Sequence, residues 1–191
     1  MKHKFYLLLT LFIFSFANAQ IREIPAVIIN KNNDTIKTNI IVVVNIFDKT
    51  LINELSIIKK IRLIDSIGNK NTIFAKEINK LNFIDLKNKN RTFRFDGKNE
   101  LREIIYEGKI KVYYTYSANA YDGSIITKFD FYDENGEKVK VGPFNIFLKK
   151  ALKKLVKQNP ELVKIIDESD LTYEETIILV LTKFETEYIN K

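Results

Sequence analysis

Glycine placement constrains this chain more than any other feature. All six glycines fall where turns are expected: Gly68 in SIGNKN, Gly97 in FDGKN, Gly108 in YEGKI, Gly123 in YDGSI, Gly136 in DENGEK and Gly142 in KVGPF. Each separates segments rich in Ile, Val, Phe and Tyr. Glycine tolerates positive φ, and Asp-Gly and Asn-Gly favour tight hairpins. Closely spaced strands joined by such turns predict an antiparallel meander.

Strands are expected at about Glu23–Asn30 and Thr35–Val44, joined by the polar turn NKNND. Others follow at Ile61–Ser66, Thr72–Lys76, Leu81–Asp85, Arg91–Phe95, Leu101–Tyr106, Ile110–Ser117, Ser124–Asp133 and Lys138–Val141. Alternation in KIKVYYTY puts Ile110, Val112, Tyr114 and Tyr116 on one face and Lys109, Lys111, Tyr113 and Thr115 on the other. In TKFDF, Thr127, Phe129 and Phe131 oppose Lys128 and Asp130. Asn45–Lys60 is ambiguous: Phe47, Leu51, Leu55 and Ile58 recur at helical spacing, which predicts a short helix or an irregular crossover.

After Gly142 the apolar period changes from 2 to 3.6. Pro143 suits the first turn of a helix, and Asn159-Pro160 ends that helix and caps a second. Thr172 with Glu175 forms the capping box of a third, whose stripe is Ile177, Leu181, Phe184 and Tyr188. All three prolines are expected at element boundaries, because each lacks an N–H. The predicted fold class is α+β: an antiparallel β-meander followed by three C-terminal helices. Its first strands, Glu23 to Asp85, are expected to close into an SH3-like half-barrel. The expected division is residues 20–142 as a β-rich body, with a sub-division near 90–100, and 143–191 as a helical segment packed on the sheet.

The N-terminus reads MKHKFYLLLTLFIFSFANAQ. Lys2 and Lys4 precede an apolar run from Phe5 to Phe16, and Ala17-Asn18-Ala19 is a small-x-small site, the pattern of a secretory signal peptide. The run is well short of the roughly 20 apolar residues that a spanning helix needs. Cleavage after Ala19 would leave an exported protein, periplasmic or secreted, with no transmembrane segment. The loss of two lysines lowers 31 basic residues to 29 against 24 acids, and the formal charge from +7 to +5. Such an interspersed excess lacks the concentrated basic footprint of a nucleic-acid protein. The only histidine is His3, within the signal, and the chain has no Cys or Trp. The mature chain therefore lacks the parts for Ser-His-Asp or Cys-His catalysis, for ordinary zinc sites and for histidine-held haem or copper. No cofactor is expected.

Three groups of residues are candidates for a site. In FLKKALKKLVKQ, Phe144, Phe147, Leu148, Ala151, Leu152, Leu155 and Val156 fill half a helical wheel, and Lys149, Lys150, Lys153, Lys154 and Lys157 fill the other. The lysines would suit an anionic envelope surface, or be only the wet side of a packed helix. Tyr106, Tyr113, Tyr114, Tyr116, Tyr121 and Tyr132 crowd the second half of the sheet, where exposed rings bind sugars or partner chains and ordinary strand tyrosines keep a wet hydroxyl. Asp65, Asp85, Asp96, Asp122 and Asp130 could supply the two carboxylates of a glycan hydrolase, although most flank turns. YDENGEK looks faintly like a calcium loop and reads more simply as a hairpin.

The chain also resembles uncharacterised exported proteins common in Bacteroidota. The likeness lies in AVIINKNNDTIKTNII, similar to an opening hairpin that usually reads Asp-Thr-Ile-x-Gly-x-Ile, with Thr38 where glycine is usual. It continues in IYEGKIKVYYTY, at Gly108, Val112 and Tyr113, and ends in FLKKALKKLVKQNPELVKII with TKFETEYIN. There Gln158-Asn159-Pro160 stands where Asp-Cys-Pro is frequent. The resemblance implies an exported protein with a curved sheet and terminal helices, and no assigned activity. The expectation is a non-enzymatic envelope or secreted protein acting by binding or assembly with an envelope component or protein partner. Peripheral membrane or polyanion contact through the lysine helix is the alternative, and a carboxylate-based glycan hydrolase the second alternative.

Overall fold

The computed structural model describes residues 20–45, 47–65, 67–139, 145–157, 159–169 and 174–189, with side chains omitted at 145–148, 155 and 187–189. The chain divides into two compact units, Met1–Arg91 and Thr92–Lys191. The first contains β1 (Ile21–Asn30), β2 (Thr35–Val44), β3 (Ile52–Asn53), β4 (Lys60–Ile64), β5 (Lys70–Phe74) and β6 (Ile78–Ile84). The division falls inside β7 (Asn90–Phe95). Then come β8 (Leu101–Glu107), β9 (Lys111–Ala118), β10 (Ile125–Tyr132), β11 (Lys138–Val139), α1 (Asn145–Leu155), α2 (Pro160–Glu168) and α3 (Glu174–Ile189). The α+β class and the antiparallel pairing thus hold. No helix among the described residues is long and apolar enough to cross a membrane.

Four hairpin loops repeat one construction. Asn30, Asp65, Asp85 and Asp133 each accept, through Oδ1, the backbone N–H groups two and four residues ahead. The first residue's N–H bonds to the carbonyl of the fifth, and the fourth residue's N–H to the carbonyl of the first. The fourth residue is left-handed: Asn33 (φ 63°), Gly68 (86°), Asn88 (62°) and Gly136 (77°). Glycine and asparagine are the residues that enter this region at low cost. Hairpin signals here are therefore Asx at position one and Gly or Asn at position four, rather than a central Asn-Gly pair.

In the first unit the sheet order is β6-β1-β2-β4-β5, with β3 also on β2. This departs from the expected meander, because β6 returns to pair with β1 from Ala26 to Asn30. Pro25 lies inside β1 and not at its boundary. Asn30 donates to Asp34, so period-2 alternation turns position 25 away from β2, and the β6 ladder begins only at Ala26. The missing N–H therefore breaks no ladder bond. Asn45–Lys60 is irregular, holding β3 and a single 3₁₀ turn at Glu54–Ser56. Ser56 Oγ accepts from Val43 N at 3.2 Å and donates to the Asn53 carbonyl, closing the gap between β3 and β4 along β2. The core includes Ile24, Ile28, Ile40, Val42, Ile57, Ile61, Ile78 and Leu81. Arg91, 7% exposed, meets Glu54 at 2.9 Å.

The second unit is a meander, β7 through β11 in order. One face is covered by helices: Ile110, Val112 and Phe131 of the sheet pack with Leu152 and Val156 of α1, Leu162 and Ile166 of α2, and Ile177, Val180, Leu181 and Phe184 of α3. Asn159 caps α2, its side chain accepting from Leu162 N, with Pro160 in the first turn. Pro143, Phe144 and the Thr172 box lie outside the described residues, as do the side chains of Phe147, Leu148, Leu155 and Tyr188.

The loop geometry sets a measurable difference between two positions. Gly136→Val, forced to φ 77°, is expected to cost about 1–2 kcal/mol in urea unfolding, because Cβ opposes the left-handed backbone. Asn88→Gly should lie within about 0.5 kcal/mol of the parent. Equal losses at the two sites would refute this account.

Candidate functional site

A bulge in β8 determines which side chains reach the uncovered face of the second unit. β8 pairs with β9 as Ile104↔Tyr113 and then Tyr106↔Val112, so Ile105 is an extra residue. Strict alternation would put Arg102 and Glu107 on opposite faces. The bulge puts both on the face of Lys111 and Tyr113, since Glu107 pairs with Lys111. Arg94 stands directly across from Arg102. Tyr132 pairs with Lys111, and Asp130 with Tyr113.

On this face a pocket of about 220 Å³, open to solvent, is lined by Arg94, Phe95, Asp96, Arg102, Lys111, Tyr113, Tyr132 and Gly136. Two arginines opposite each other repel unless carboxylates lie beside them. Arg94 pairs with Glu107. Arg102 reaches Asp96 Oδ2 at 3.2 Å and Asp130 Oδ2 at 3.7 Å, and it donates to the Tyr132 hydroxyl. Lys138 holds the other oxygen of Asp130 at 2.8 Å. The rings of Tyr113 and Tyr132 meet edge to face, 5.7 Å apart at 77°. Asp96 has two duties: Oδ1 accepts Lys98, Asn99 and Glu100 N–H groups at 2.8, 3.0 and 3.1 Å, and Oδ2 faces Arg102.

The charges follow from this packing. Burial pushes the Asp96 carboxyl up, but the N–H donors of Glu100 and Lys98 and the Arg102 guanidinium outweigh it and hold it below its ordinary value. Burial opposes the Arg102 cation; Tyr132, Asp96 and Asp130 outweigh that and keep it charged. Burial, then Glu107, raises the Tyr113 hydroxyl.

The six tyrosines do not form one row. Tyr106 and Tyr114 face α3, bonded to Glu185 and Glu174, and burial with those carboxylates pushes Tyr106 up to about 12 and Tyr114 higher. Tyr116 donates to buried Glu103. Tyr121 is exposed on a loop. Only Tyr113 and Tyr132 line the pocket. Glu185 also accepts from Lys109 N and rests against Gly108, where a Cβ would meet its carboxylate. Gly108 serves this close approach, not a left-handed turn.

The lysine helix is likewise divided. Lys149 donates to the Asp167 carbonyl at 2.8 Å and Lys153 pairs with the Asp167 carboxylate, tying α1 to α2. Lys150, Lys154 and Lys157 are exposed, while Ala151, Leu152 and Val156 are buried beneath them. Among the acids, Asp65, Asp85 and Asp122 serve turns, accepting backbone N–H groups of their own loops. Asp133 does the same in YDENGEK. Asp130, on the strand face opposite Phe129 and Phe131, is 9% exposed, with Arg102 and Lys138 converging on it. Arg94, Arg102 and Lys111 escape a sequence reading because period-2 alternation without the bulge scatters them.

The chain matches no protein-family model, no curated protein and no solved structure.

The loop N–H donors on Asp96, together with Arg102, predict an acid-labile part of stability. Asp96 is depressed in the fold, so its contribution is present above 3.8, the unfolded value, and is lost as pH falls through the lower folded value. Asp96→Asn, which keeps an acceptor for the loop, should flatten the dependence of the urea midpoint on pH between about 5 and 2. An unchanged pH profile would count against a depressed Asp96 in the fold.

Proposed function

We propose that this chain is exported, matures at Gln20 and acts outside the cytoplasm as a non-enzymatic binding protein through the pocket of its second unit. One observation carries the reading. Both arginines of the lining are fixed by partners, Arg94 by Glu107 and Arg102 by Asp96, Asp130 and Tyr132. Such preorganised donors and acceptors suit reversible recognition, where rigidity spares the cost of ordering side chains on binding. A glycan hydrolase would need one carboxyl kept protonated at neutral pH. Asp96 is held in the opposite direction, and both Asp96 and Asp130 face the same guanidinium.

We further infer that the strands from Glu23 to Asp85 form an SH3-like half-barrel. The order β6-β1-β2-β4-β5 supports this, with the last strand returning to the first behind a 3₁₀ turn at Ala75–Glu77. A second reading, adsorption to an anionic surface, is favoured by the exposure of Lys150, Lys154 and Lys157. It would be electrostatic only, since the buried Ala151, Leu152 and Val156 are not free to enter a bilayer.

Expression of the full chain in a bacterial host should give an extracytoplasmic protein whose N-terminal sequence starts at Gln20. An uncleaved chain in the cytoplasm would end the leading proposal. For the second reading, sedimentation with anionic phospholipid vesicles should fall when Lys150, Lys154 and Lys157 all become Gln. Sedimentation equal to that of the parent would remove it.

A further inference from the structure

We propose that the pocket of the second unit takes an acidic monosaccharide unit, with its carboxylate at Lys111 and Arg94 and its ring hydroxyls toward Arg102 and Asp96. The inference rests on the binding reading above and adds the ligand's chemistry.

Size is the first argument. The pocket's volume of about 220 Å³ is on the scale of one sugar ring, and the pocket is open to solvent. Charge is the second. Arg94 is matched by Glu107, and Arg102 by Asp96 and Asp130, so the excess positive charge of the lining is that of Lys111. Lys111 sits across from Glu107, but that carboxylate is paired with Arg94, and Lys111 makes no ion pair among the described residues. A half-buried ammonium beside a guanidinium favours an incoming anion. Chemistry of the walls is the third. Arg102 fixed between carboxylates presents donors next to acceptors, which a polyol satisfies and an aliphatic acid does not. The edge-to-face pair of Tyr113 and Tyr132 offers apolar ring surface to sugar C–H groups.

Calorimetric titration of the mature protein with glucuronate, glucose and inorganic phosphate tests this. Glucuronate should bind at least about tenfold more tightly than either of the others, a difference of ~1.4 kcal/mol. Lys111→Gln should weaken glucuronate at least about tenfold, while Lys128→Gln, on exposed β10 outside the pocket, should leave it unchanged. Arg94→Gln serves as a second variant should Lys111→Gln fail to fold, with the same loss expected. Methyl glucuronoside binding as well as the free acid marks a glycan terminus as the source, and weaker binding marks a free solute. Phosphate or glucose binding as tightly as glucuronate, or variants that bind like the parent, would overturn the proposal. An exported, cleaved protein indifferent to glucuronate would sink this inference alone, whereas an uncleaved cytoplasmic chain would sink the reading beneath it.

Discussion

The structure depends on a carboxylate or carboxamide that holds a turn by accepting two backbone N–H groups. In the loops starting at Asn30, Asp65, Asp85 and Asp133 one Oδ1 satisfies donors that would otherwise compete for water, and a left-handed fourth residue returns the chain. Hairpin register follows from loop geometry, and register decides which side chains face the core. A slip of one residue in β10–β11 would exchange the faces of Lys138 and Val139, since β10 itself is held in register by β9. Short polar side chains at loop corners therefore secure burial that they do not share.

Register alone would give the second unit one apolar and one polar face. The bulge at Ile105 does more, because it lets one strand serve both faces on either side of the irregularity. Glu103 and Tyr106 turn toward the helices, where Tyr116 and Glu185 meet them. Arg102 and Glu107 turn away, toward Arg94 and Lys111. The same irregularity thus supplies polar anchors under α3 and the charged wall of the pocket.

Much of the fold was legible because its signals are local. Asn159-Pro160 marks a helix start by cap chemistry within four residues, and KIKVYYTY shows its faces by alternation. The return of β6 to β1 was not legible, since nothing in INKLNFI states which edge it joins, and the choice follows from long-range burial of Ile78, Leu81 and Phe83. The position of Pro25 inside β1 is not legible either, because its tolerance there depends on where the β6 ladder begins. The lysine helix was half legible. Its amphipathic wheel agrees with the burial of Ala151, Leu152 and Val156, but no periodicity could show that Lys149 and Lys153 would be engaged by Asp167. The pocket was the least legible, because one inserted residue in β8 inverts the faces on which an alternation argument relies.

The balance of charge on the open face then bears on what such a site can do. Arg94, Arg102 and Lys138 each have a carboxylate partner, so the face does not act as a diffuse cationic patch, and salt should screen it only modestly where Asp96 and Asp130 are nearly buried. Exposed ion pairs contribute little to stability, and partly buried ones recover little more than their desolvation cost. What this network does provide is fixed geometry: a guanidinium held from three sides, a carboxylate whose second oxygen is committed to its own loop, and a ring edge set against a ring face. Among the described residues Lys111 makes no ion pair. A site with one unmatched charge inside a matched frame discriminates by where a ligand places its own charge relative to its hydroxyls, which is a more selective test than net attraction.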